Sequence, residues 1–545
     1  MRSYIMSKIL SETKSVGLNF TLLFCICLSL LPLRVVAQVI DFSHKTIKEP
    51  INIEFWERHI QKGIEIDSSY GIFHILFHRP IDFTETEFTH TADFRLATFD
   101  SSVCFYLATF DSSVSFYNAG FHSTADFGGT NFKDTADFHW ATFDASVRFW
   151  GADFHSTADF EGTNFKGGAG FFRATFETSV RFSAAGFHST VDFLRTDFKG
   201  TADFRWTNFK GTANFDGATF DSSVSFSLAE FDSTADFGHT KLKGTVDFWR
   251  TKFKGRADFE WATFDSCVSF QGAEFGSTAN FVVTKFKGRA DFQWTRFRED
   301  VIFSDAILPD TLDFRDIKDI RKDIDFTLSL PPRSKGKCHI ALAGADISKI
   351  KLNMALFKLS FPIDTIWGET SAGKDSIIRV DSTSYDGQLS VYESVLKNLK
   401  DDGFMESYEI LDIDYRRFKY QHGGFFDWYI LDTFQEWWWN YGYSKELVFL
   451  WAIGFWVLFS LLNLIFFYPK LSENVYEIKF LQKGIRYWLQ VVTYTAIVFF
   501  GLKMDVANFK ECVVRKHPLL FVYLMVVYVV GLVCLGFIVN IIFTR

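Results

Sequence analysis

Cysteine and proline are scarce in this chain of 545 residues, which contains seven of the first and nine of the second. No Cys-x-x-Cys pair occurs, and only Cys104, Cys267 and Cys338 lie away from the strongly apolar segments. Disulfide frameworks and structural zinc sites need paired or clustered cysteines, so we predict neither. The chain also lacks an excess of positive charge: its net charge is −8, which argues against a nucleic-acid partner.

Motifs for catalysis are missing as well. There is no Gly-x-Ser-x-Gly nucleophile elbow. Residues 368–375 approach the phosphate-binding GxxxxGK[ST] loop, but Asp375 replaces the hydroxyl residue that would bind Mg²⁺. We therefore predict that the protein is not an enzyme and that it has no catalytic residue, cofactor or metal site.

Phenylalanine, in contrast, is abundant, with 68 residues. From Phe83 to Phe303 an apolar residue recurs at spacings that alternate between five and six, and each of these positions is Phe except Leu242. Ala, Val or Thr stands two residues before nearly every one. An α-helix turns about 100° per residue and would scatter these side chains around its axis. A flat strand needs an unbroken period of two, so both structures are excluded.

A chain that turns a corner every five or six residues keeps each Phe and the small residue before it pointing at one axis, as in a solenoid. Four such sides make a coil of about 22 residues, and residues 83–303 then supply about ten coils. His122, His155 and His188 recur at one and a half coils, so neighbouring members lie on opposite sides. They are not expected to share a metal ion.

Segments 92–94, 136–138, 202–204 and 257–259 each read Ala-Asp-Phe. They resemble the unit of the pentapeptide-repeat family, Ala-(Asp/Asn)-(Leu/Phe)-x-x. This resemblance covers residues 83–303 and implies a mainly β fold, a right-handed quadrilateral β-helix. The sequence departs from the family by adding a sixth residue to every second unit, and we expect the corners there to be looser. Some members of the family resemble duplex DNA in shape and acidity, but here lysines such as Lys133 and Lys199 dilute the acidic surface.

Residues one coil apart should stack on the outer surface. Arg181 is then expected between Asp159 and Asp203, where it relieves repulsion between stacked carboxylates. Trp140, Trp206 and Trp294 share another column and are candidates for a partner-binding surface, because Trp is favoured in binding hot spots. The alternative is that these rings only cover a corner of the coil.

The first 37 residues resemble a secretory signal peptide. Arg2 and Lys8 precede an apolar stretch, and the small residues that end at Ala37 fit a cleavage site. The alternative is an uncleaved N-terminal anchor. We expect residues 38–82 to cap one end of the solenoid and the irregular region 304–385 to cap the other.

The C-terminal part is expected to be helical and membrane-bound. Residues 386–445 predict a helical hairpin followed by an aromatic juxtamembrane segment. In the transmembrane region 446–545, segments 447–467 and 519–543 are long and apolar enough to span a bilayer. The shorter segment 485–501 has three alternatives: it lies in the interface, re-enters the membrane or forms a third span.

The order of span, short apolar helix and span resembles the pore module of two-transmembrane potassium channels. The filter-like residues would be Thr493 and Thr495, but the chain continues through Phe499, Phe500 and Gly501 instead of Gly-Tyr-Gly. Basic residues between the spans favour a cytoplasmic connection by the positive-inside rule. That orientation places the solenoid outside the cytoplasm and is the reverse of a channel's orientation.

The preferred interpretation is a non-enzymatic interaction or scaffold protein of a bacterial inner membrane, with its solenoid on the periplasmic or extracytoplasmic side. The expected partners are the lipid bilayer and an unidentified protein, with no nucleic acid, and the membrane helices offer a route to an oligomer. The alternative is an ion-channel-like pore whose solenoid serves regulation or assembly.

Overall fold

The structure is a computed structural model that describes residues 39–58, 64–67, 74–317, 319–334, 336–361, 364–368, 376–380, 384–424, 426–467, 485–501 and 518–543. The chain divides into two compact units, Met1–Val391 and Tyr392–Arg545. Three predicted features lie outside the described residues: the signal segment 1–37, most of the near-match to a phosphate loop (369–375), and the basic connections within 468–484 and 502–517.

The first unit is a four-sided β-solenoid of about 13 turns with about 22 residues per turn, which confirms the predicted coil. Each turn adds one short strand to each of four sheets, which we name A to D in chain order. Sheet A contains Ile40–Asp41, Ile81–Asp82 and Val103–Cys104, then one short strand from every turn to Val301–Ile302, then Ile324–Asp325 and Ile350–Lys351. Sheet B contains Thr46–Ile47 and Glu87–Phe88, then one strand from every turn to Lys285–Phe286.

Sheets C and D complete the square. Sheet C begins with Ala92–Asp93, gains one strand from every turn to Ala290–Asp291, and ends with Thr311–Asp313, Cys338–Ala341 and Phe357–Leu359. Sheet D contains the antiparallel pair Ile64–Asp67 and His74–Phe77, then Thr98–Phe99 and one strand from every turn to Arg296–Phe297. A separate antiparallel hairpin joins Asp364–Gly368 to Ser376–Val380.

The stacking extends beyond residues 83–303 at both ends, which accounts for the larger number of turns. It begins at Ile40 and ends at Leu359, so the two regions expected to be caps also supply strands. Helix α1 (Ile53–Arg58) lies in the first coil and buries Trp56, whose ring contacts Phe77 and Phe94 at 5.0 and 6.2 Å between centroids. Trp56 therefore closes the N-terminal end of the aromatic core.

The Phe side chains point inward, as predicted. Phe204 is fully buried and stacks on Phe182 and Phe226 of the adjacent coils, with ring centroids 5.0 and 4.8 Å apart. Rings from sheet A, Phe193 and Phe215, meet Phe204 edge-on at 82° and 90°. Burial of one such ring contributes about 1.5–3 kcal/mol, so this column is the main source of stability in the solenoid.

Two kinds of corner join the sheets. The short corners, A to B and C to D, are four-residue turns closed by a backbone hydrogen bond such as Ala97 N–H to the Phe94 carbonyl at 3.1 Å. Their third residue has a positive φ, as at Leu96 (60°) and Gly129 (63°), which is the geometry of a type II turn. Residues other than Gly are destabilised by about 1–2 kcal/mol in this conformation. It is tolerated here because stacking on the neighbouring coils determines the backbone conformation.

The long corners, B to C and D to A, contain the extra residue. At Gly167 an added Cβ would lie 2.3 Å from the carbonyl carbon of Ala145 in the coil below. The backbones of successive coils are therefore in contact at these Lys-Gly corners. The expectation that the long corners are loose is wrong here, because glycine removes the side chain that would separate them.

The second unit is helical. Its elements, with α2 crossing the boundary between the units, are α2 (Tyr385–Asp401), α3 (Met405–Gln421), a π-helical segment (Phe426–Leu431), α4 (Asp432–Trp439), α5 (Lys445–Leu462) with a π-helical extension (Asn463–Phe467), α6 (Ile485–Phe499) and α7 (Pro518–Phe543). Helices α2 and α3 pack through Tyr392 and Phe418, whose ring centroids are 5.3 Å apart. They correspond to the predicted hairpin.

Candidate interaction surface and membrane helices

The predicted Trp column lies on the short corner between sheets C and D, which we call the C–D corner. Trp140, Trp206 and Trp294 each occupy the third position of the turn, with φ of 59°, 57° and 60°. Their exposed fractions are 54, 56 and 53%, which is high for so large an apolar side chain. The structure thus places the three indoles on one corner and at one position of the turn.

The three indoles differ in what surrounds them. Trp140 packs edge-on against His139, with ring centroids 4.6 Å apart, and lies over Gly162 of the next coil. An added Cβ at Gly162 would be 2.3 Å from Cδ1 of Trp140, so this indole fills the space of a missing side chain. The ring of Trp206 instead makes a cation–π contact with the guanidinium of Arg205, 5.4 Å from the ring centroid. Trp140 therefore packs over the neighbouring turn, whereas Trp206 borders a groove.

A groove of about 530 Å³ lies beside Trp206 and is bounded on another coil by Trp249. The sequence prediction missed Trp249, because it stands at the second position of its turn and so falls one residue outside the predicted column. A search for Trp at either exposed turn position would have found it, together with Trp150 and Trp261 on the A–B corner.

The floor of the groove is polar and belongs to sheet C. Asp203, Ser225 and Asp247 occupy one outward column on three successive coils. Arg205 donates from Nη2 to Oδ2 of Asp203 at 2.6 Å, and Ser227 donates its hydroxyl to Oδ2 of Asp247 at 2.5 Å. The small Ser225 separates the two carboxylates and leaves the space between them open.

The predicted arrangement of Arg181 is confirmed. Its strand pairs with those of Asp159 and Asp203, and its Nη2 donates to Oδ2 of Asp159 at 2.6 Å. His139 and Glu161 bring further ligand atoms within 4.8 Å of Asp159. The Glu161 backbone N–H donates to the other oxygen of Asp159. Because the Arg181 guanidinium already compensates the charge of Asp159, we interpret this cluster as an ion-pair network.

Acidic and basic side chains alternate along the long corners. Each pair joins residues one coil apart at 2.6–2.8 Å: Asp111 with Lys133, Asp144 with Lys166, Glu177 with Lys199, Asp221 with Lys243, Asp232 with Lys254, and Asp265 with Lys287. Isolated exposed ion pairs contribute little to stability. Their alternation does, however, avoid stacked like charges on two of the four corners.

The columns of charged residues on the long corners also contain histidines, and the pKa values of two of them are shifted in opposite directions. Hydrogen bonds to Asp100 and Glu65 raise the pKa of His78. Burial and the neighbouring Lys210 and Lys166 lower the pKa of His188. His122 and His188 lie on the D to A corner, three coils apart, and His155 lies on the B to C corner, as the spacing predicts.

Two helices of the second unit are long and apolar enough to cross a membrane, Lys445–Phe466 and Pro518–Phe543, close to the predicted spans. Large apolar side chains cover their outer faces, including Leu450 on α5 and Leu519 on α7, which are 62 and 83% exposed. Continuous apolar surface of this kind is typical of contact with lipid or with other helices.

A buried polar cluster joins α5, α6 and α7. The Asn463 amide donates to the Thr495 hydroxyl at 2.8 Å, and the Tyr523 hydroxyl donates to the Asn463 carbonyl oxygen at 2.9 Å. Thr495 also donates to the Val491 carbonyl of its own helix at 2.8 Å. Interhelical hydrogen bonds between such residues stabilise helix packing in apolar surroundings.

The potassium-channel resemblance has no support in the structure. Thr493, Thr495 and Phe499 lie within α6, and Phe500 and Gly501 form the turn after it. Thr493 is exposed and Thr495 is fully buried in the polar cluster. Because the carbonyls of this segment belong to a helix, they do not form the extended ring that coordinates ions in a filter.

The aromatic juxtamembrane segment makes more internal contacts than a belt at the bilayer surface requires. Trp438 is buried and packs on Phe455 and Phe537, with ring centroids 6.1 and 5.8 Å apart. The Tyr443 hydroxyl donates to Asp412 at 2.6 Å, and burial raises the pKa of Tyr443. Trp428 and Trp437 remain exposed and are the candidates for contact with lipid headgroups.

Comparison with known protein families agrees with the fold. The profile described as Pentapeptide repeats (9 copies) matches residues 207–252 and 239–284, within the solenoid. No curated protein and no solved structure matches the chain significantly. The chain therefore contains a β-solenoid, of which residues 207–284 match the pentapeptide-repeat model, together with C-terminal helices, two of which are candidate membrane spans.

Proposed function

We propose that the protein is a non-enzymatic interaction or scaffold protein, held at a membrane by its C-terminal helices. The exposed indoles on the C–D corner are the observation that carries this proposal, because Trp is concentrated in binding hot spots. The solid Phe core supports it, since the side chains that a partner can reach are those on the corners and outer sheet faces. The outer faces of α5 and α7 are the surface for lipid and for self-association.

We place the solenoid on the periplasmic or extracytoplasmic side of a bacterial inner membrane. The basis is the set of basic residues between the two spans, which the positive-inside rule assigns to the cytoplasm: Lys470, Lys479, Lys483, Arg486, Lys503, Lys510, Arg515 and Lys516. Reporter fusions at residues 480 and 510 test this orientation. Cytoplasmic signals at both sites are expected, and an external signal at either site would contradict it.

A photocross-linking amino acid on the C–D corner tests the interaction role in cells. Placed at Trp206 or Trp294, it should yield a defined adduct with a partner macromolecule. Placed at Lys199, which is exposed on the B to C corner and paired with Glu177, it should yield none. Equal cross-linking at all three positions would argue against the C–D corner as the interaction surface.

A further inference from the structure

We propose that the groove between Trp206 and Trp249 binds a carbohydrate, with pyranose rings resting on the indoles. This inference rests on the proposed interaction role and specifies the chemistry of one partner. The proposal starts from two indoles, Trp206 and Trp249, that line the same groove. Coils two apart are separated by about 10 Å, twice the spacing between strands. Ser227 and Leu228 of the intervening turn line the groove, so a ring-sized group lies over these two residues with an indole on either side.

The indoles present the surface that a sugar ring requires. A pyranose has an apolar face of C–H groups, which packs on an aromatic ring, and a rim of hydroxyls. Arg205 lies over the ring of Trp206, and Arg250 lies 4.7 Å from the ring centroid of Trp249. Each guanidinium thus makes a cation–π contact with one indole. Trp206 nevertheless remains more than half exposed, so it has a surface to offer to a ligand.

The floor of the groove supplies hydrogen-bonding groups that match hydroxyls. Asp203 and Asp247 are acceptors, and the hydroxyls of Ser225 and Thr245 can donate or accept. Each oxygen of Asp247 accepts one hydrogen bond and keeps a lone pair for a ligand, whereas both oxygens of Asp203 already accept two from Arg205.

Charge in the groove disfavours an anionic ligand. The Arg205 guanidinium compensates Asp203, and Asp247 accepts the Ser227 hydroxyl and the Trp249 backbone N–H at 2.9 Å. An anion would meet two carboxylates, and a cation at Asp203 would compete with Arg205. A saccharide satisfies the hydrogen-bonding groups without disturbing these pairs.

Another exposed indole on this corner, Trp140, provides a matched control. Trp140 has the same turn position and nearly the same exposure as Trp206. The corresponding turn two coils along carries Ser183 and Ala184, so Trp140 has no second indole opposite it. Replacement by Leu is suited to both sites, because Leu96 and Leu228 occupy this position in other coils with positive φ.

The test uses the full chain, purified in a detergent without a sugar headgroup, and calorimetric titration with cellohexaose, maltohexaose and chitohexaose. At least one should bind, and Trp206→Leu and Trp249→Leu should each weaken it by about tenfold or more, the value of one good aromatic contact. Trp140→Leu should leave the affinity unchanged. Ser225→Tyr, which fills the groove and keeps both indoles, should abolish binding.

Failure of all three oligosaccharides to bind would overturn the proposal, as would an equal loss on replacing Trp140. Binding of choline in place of the sugars, removed by Trp206→Leu, would reassign the groove to organic cations. A negative titration with continued cross-linking at Trp206 in cells would reject the carbohydrate ligand and leave the broader interaction role standing.

Discussion

At the scale of the residue, stability in the solenoid comes from one aromatic ring repeated. Phe204 contacts parallel rings above and below and edge-on rings across the axis, so its removal leaves a cavity lined on several sides. The surrounding coils are fixed by their own hydrogen bonds and cannot collapse into that space.

Phe204→Ala should lower the free energy of unfolding by about 3–5 kcal/mol, the cost of a buried Phe truncation. Lys199→Ala should change it by less than about 1 kcal/mol, because the Lys199–Glu177 pair is exposed. Urea titration of the purified protein measures both. Similar losses for the two variants would contradict the inward assignment of Phe.

The pKa values of His78 and His188 should reveal which charged residues lie next to each ring. The pKa of His78 is raised above 6.5, so its ion pairs stabilise the fold below that pH and are lost as pH rises through the folded-state pKa. The pKa of His188 is lowered, so protonation of this residue favours the unfolded chain and the fold loses stability as pH falls below 6.5. NMR titration of isotope-labelled histidine should give a midpoint above 6.5 for His78 and below 6.5 for His188. The variants His78→Gln and His188→Gln assign the two signals, and a reversed order would refute the ladder contacts.

At the scale of the element, the corners set how closely the coils approach. Adjacent glycines of one long corner have different roles, because Gly167 touches the backbone below while the nearest atom to an added Cβ at Gly168 is 3.7 Å away. Neither residue has the positive φ that would itself require glycine.

Gly167→Ala should destabilise the solenoid by about 1–3 kcal/mol, since the backbone of Ala145 must move to admit the methyl group. Gly168→Ala should be close to neutral. Thermal unfolding of the two variants provides the comparison, and equal midpoints would show that the coils are not in backbone contact at this corner.

The helices of the second unit have an equivalent close contact. An added Cβ at Gly531 in α7 would lie 1.6 Å from the Phe499 carbonyl oxygen at the end of α6, whereas Gly536 has no atom within 4 Å. Gly531→Ala should therefore weaken the packing of α6 on α7 by about 1–3 kcal/mol. Unfolding in mixed micelles of increasing denaturing-detergent content measures this loss. Gly536→Ala is the control, and an equal loss in that variant would reject the helix contact.

At the scale of the whole molecule, the solenoid is an array in which each coil contacts only its neighbours. Its stability is then a sum of coil and interface contributions, and whole coils are interchangeable in the core. The outer columns carry the differences between coils, including the indoles, the ion-pair ladders and the groove.

Deletion of residues 201–222, one whole coil, should leave a folded solenoid that is one turn shorter, because each Phe column and each kind of corner stays in register. Deletion of residues 201–205 should be strongly destabilising, since it places short corners over long corners in every later turn. Circular dichroism with thermal unfolding distinguishes the two variants. Loss of folding in the first variant would show that coils are not independent units.

Much of this fold was predictable from the sequence, because the determining signal is local and repeated. The spacing of Phe defines the corners, and the length of the coil determines which residues stack. The column of Arg181 and the placement of Trp140, Trp206 and Trp294 followed from that count alone. The carbohydrate groove did not, because it needs Trp249 at a different turn position, a Ser in place of Asp at 225, and their proximity across coils.

The sequence by itself determined the inward Phe, the length of the coil and the apolar helices, since each depends on periodicity or on a continuous run of residues. Only the tertiary structure decided where stacking starts and stops, since the end coils lack the Phe period and depend on contacts such as Trp56 with Phe94. It also decided that Asn463, Thr495 and Tyr523 form one cluster. Hydrogen bonds between separate helices leave no periodic trace, because each partner is a single residue on its own element.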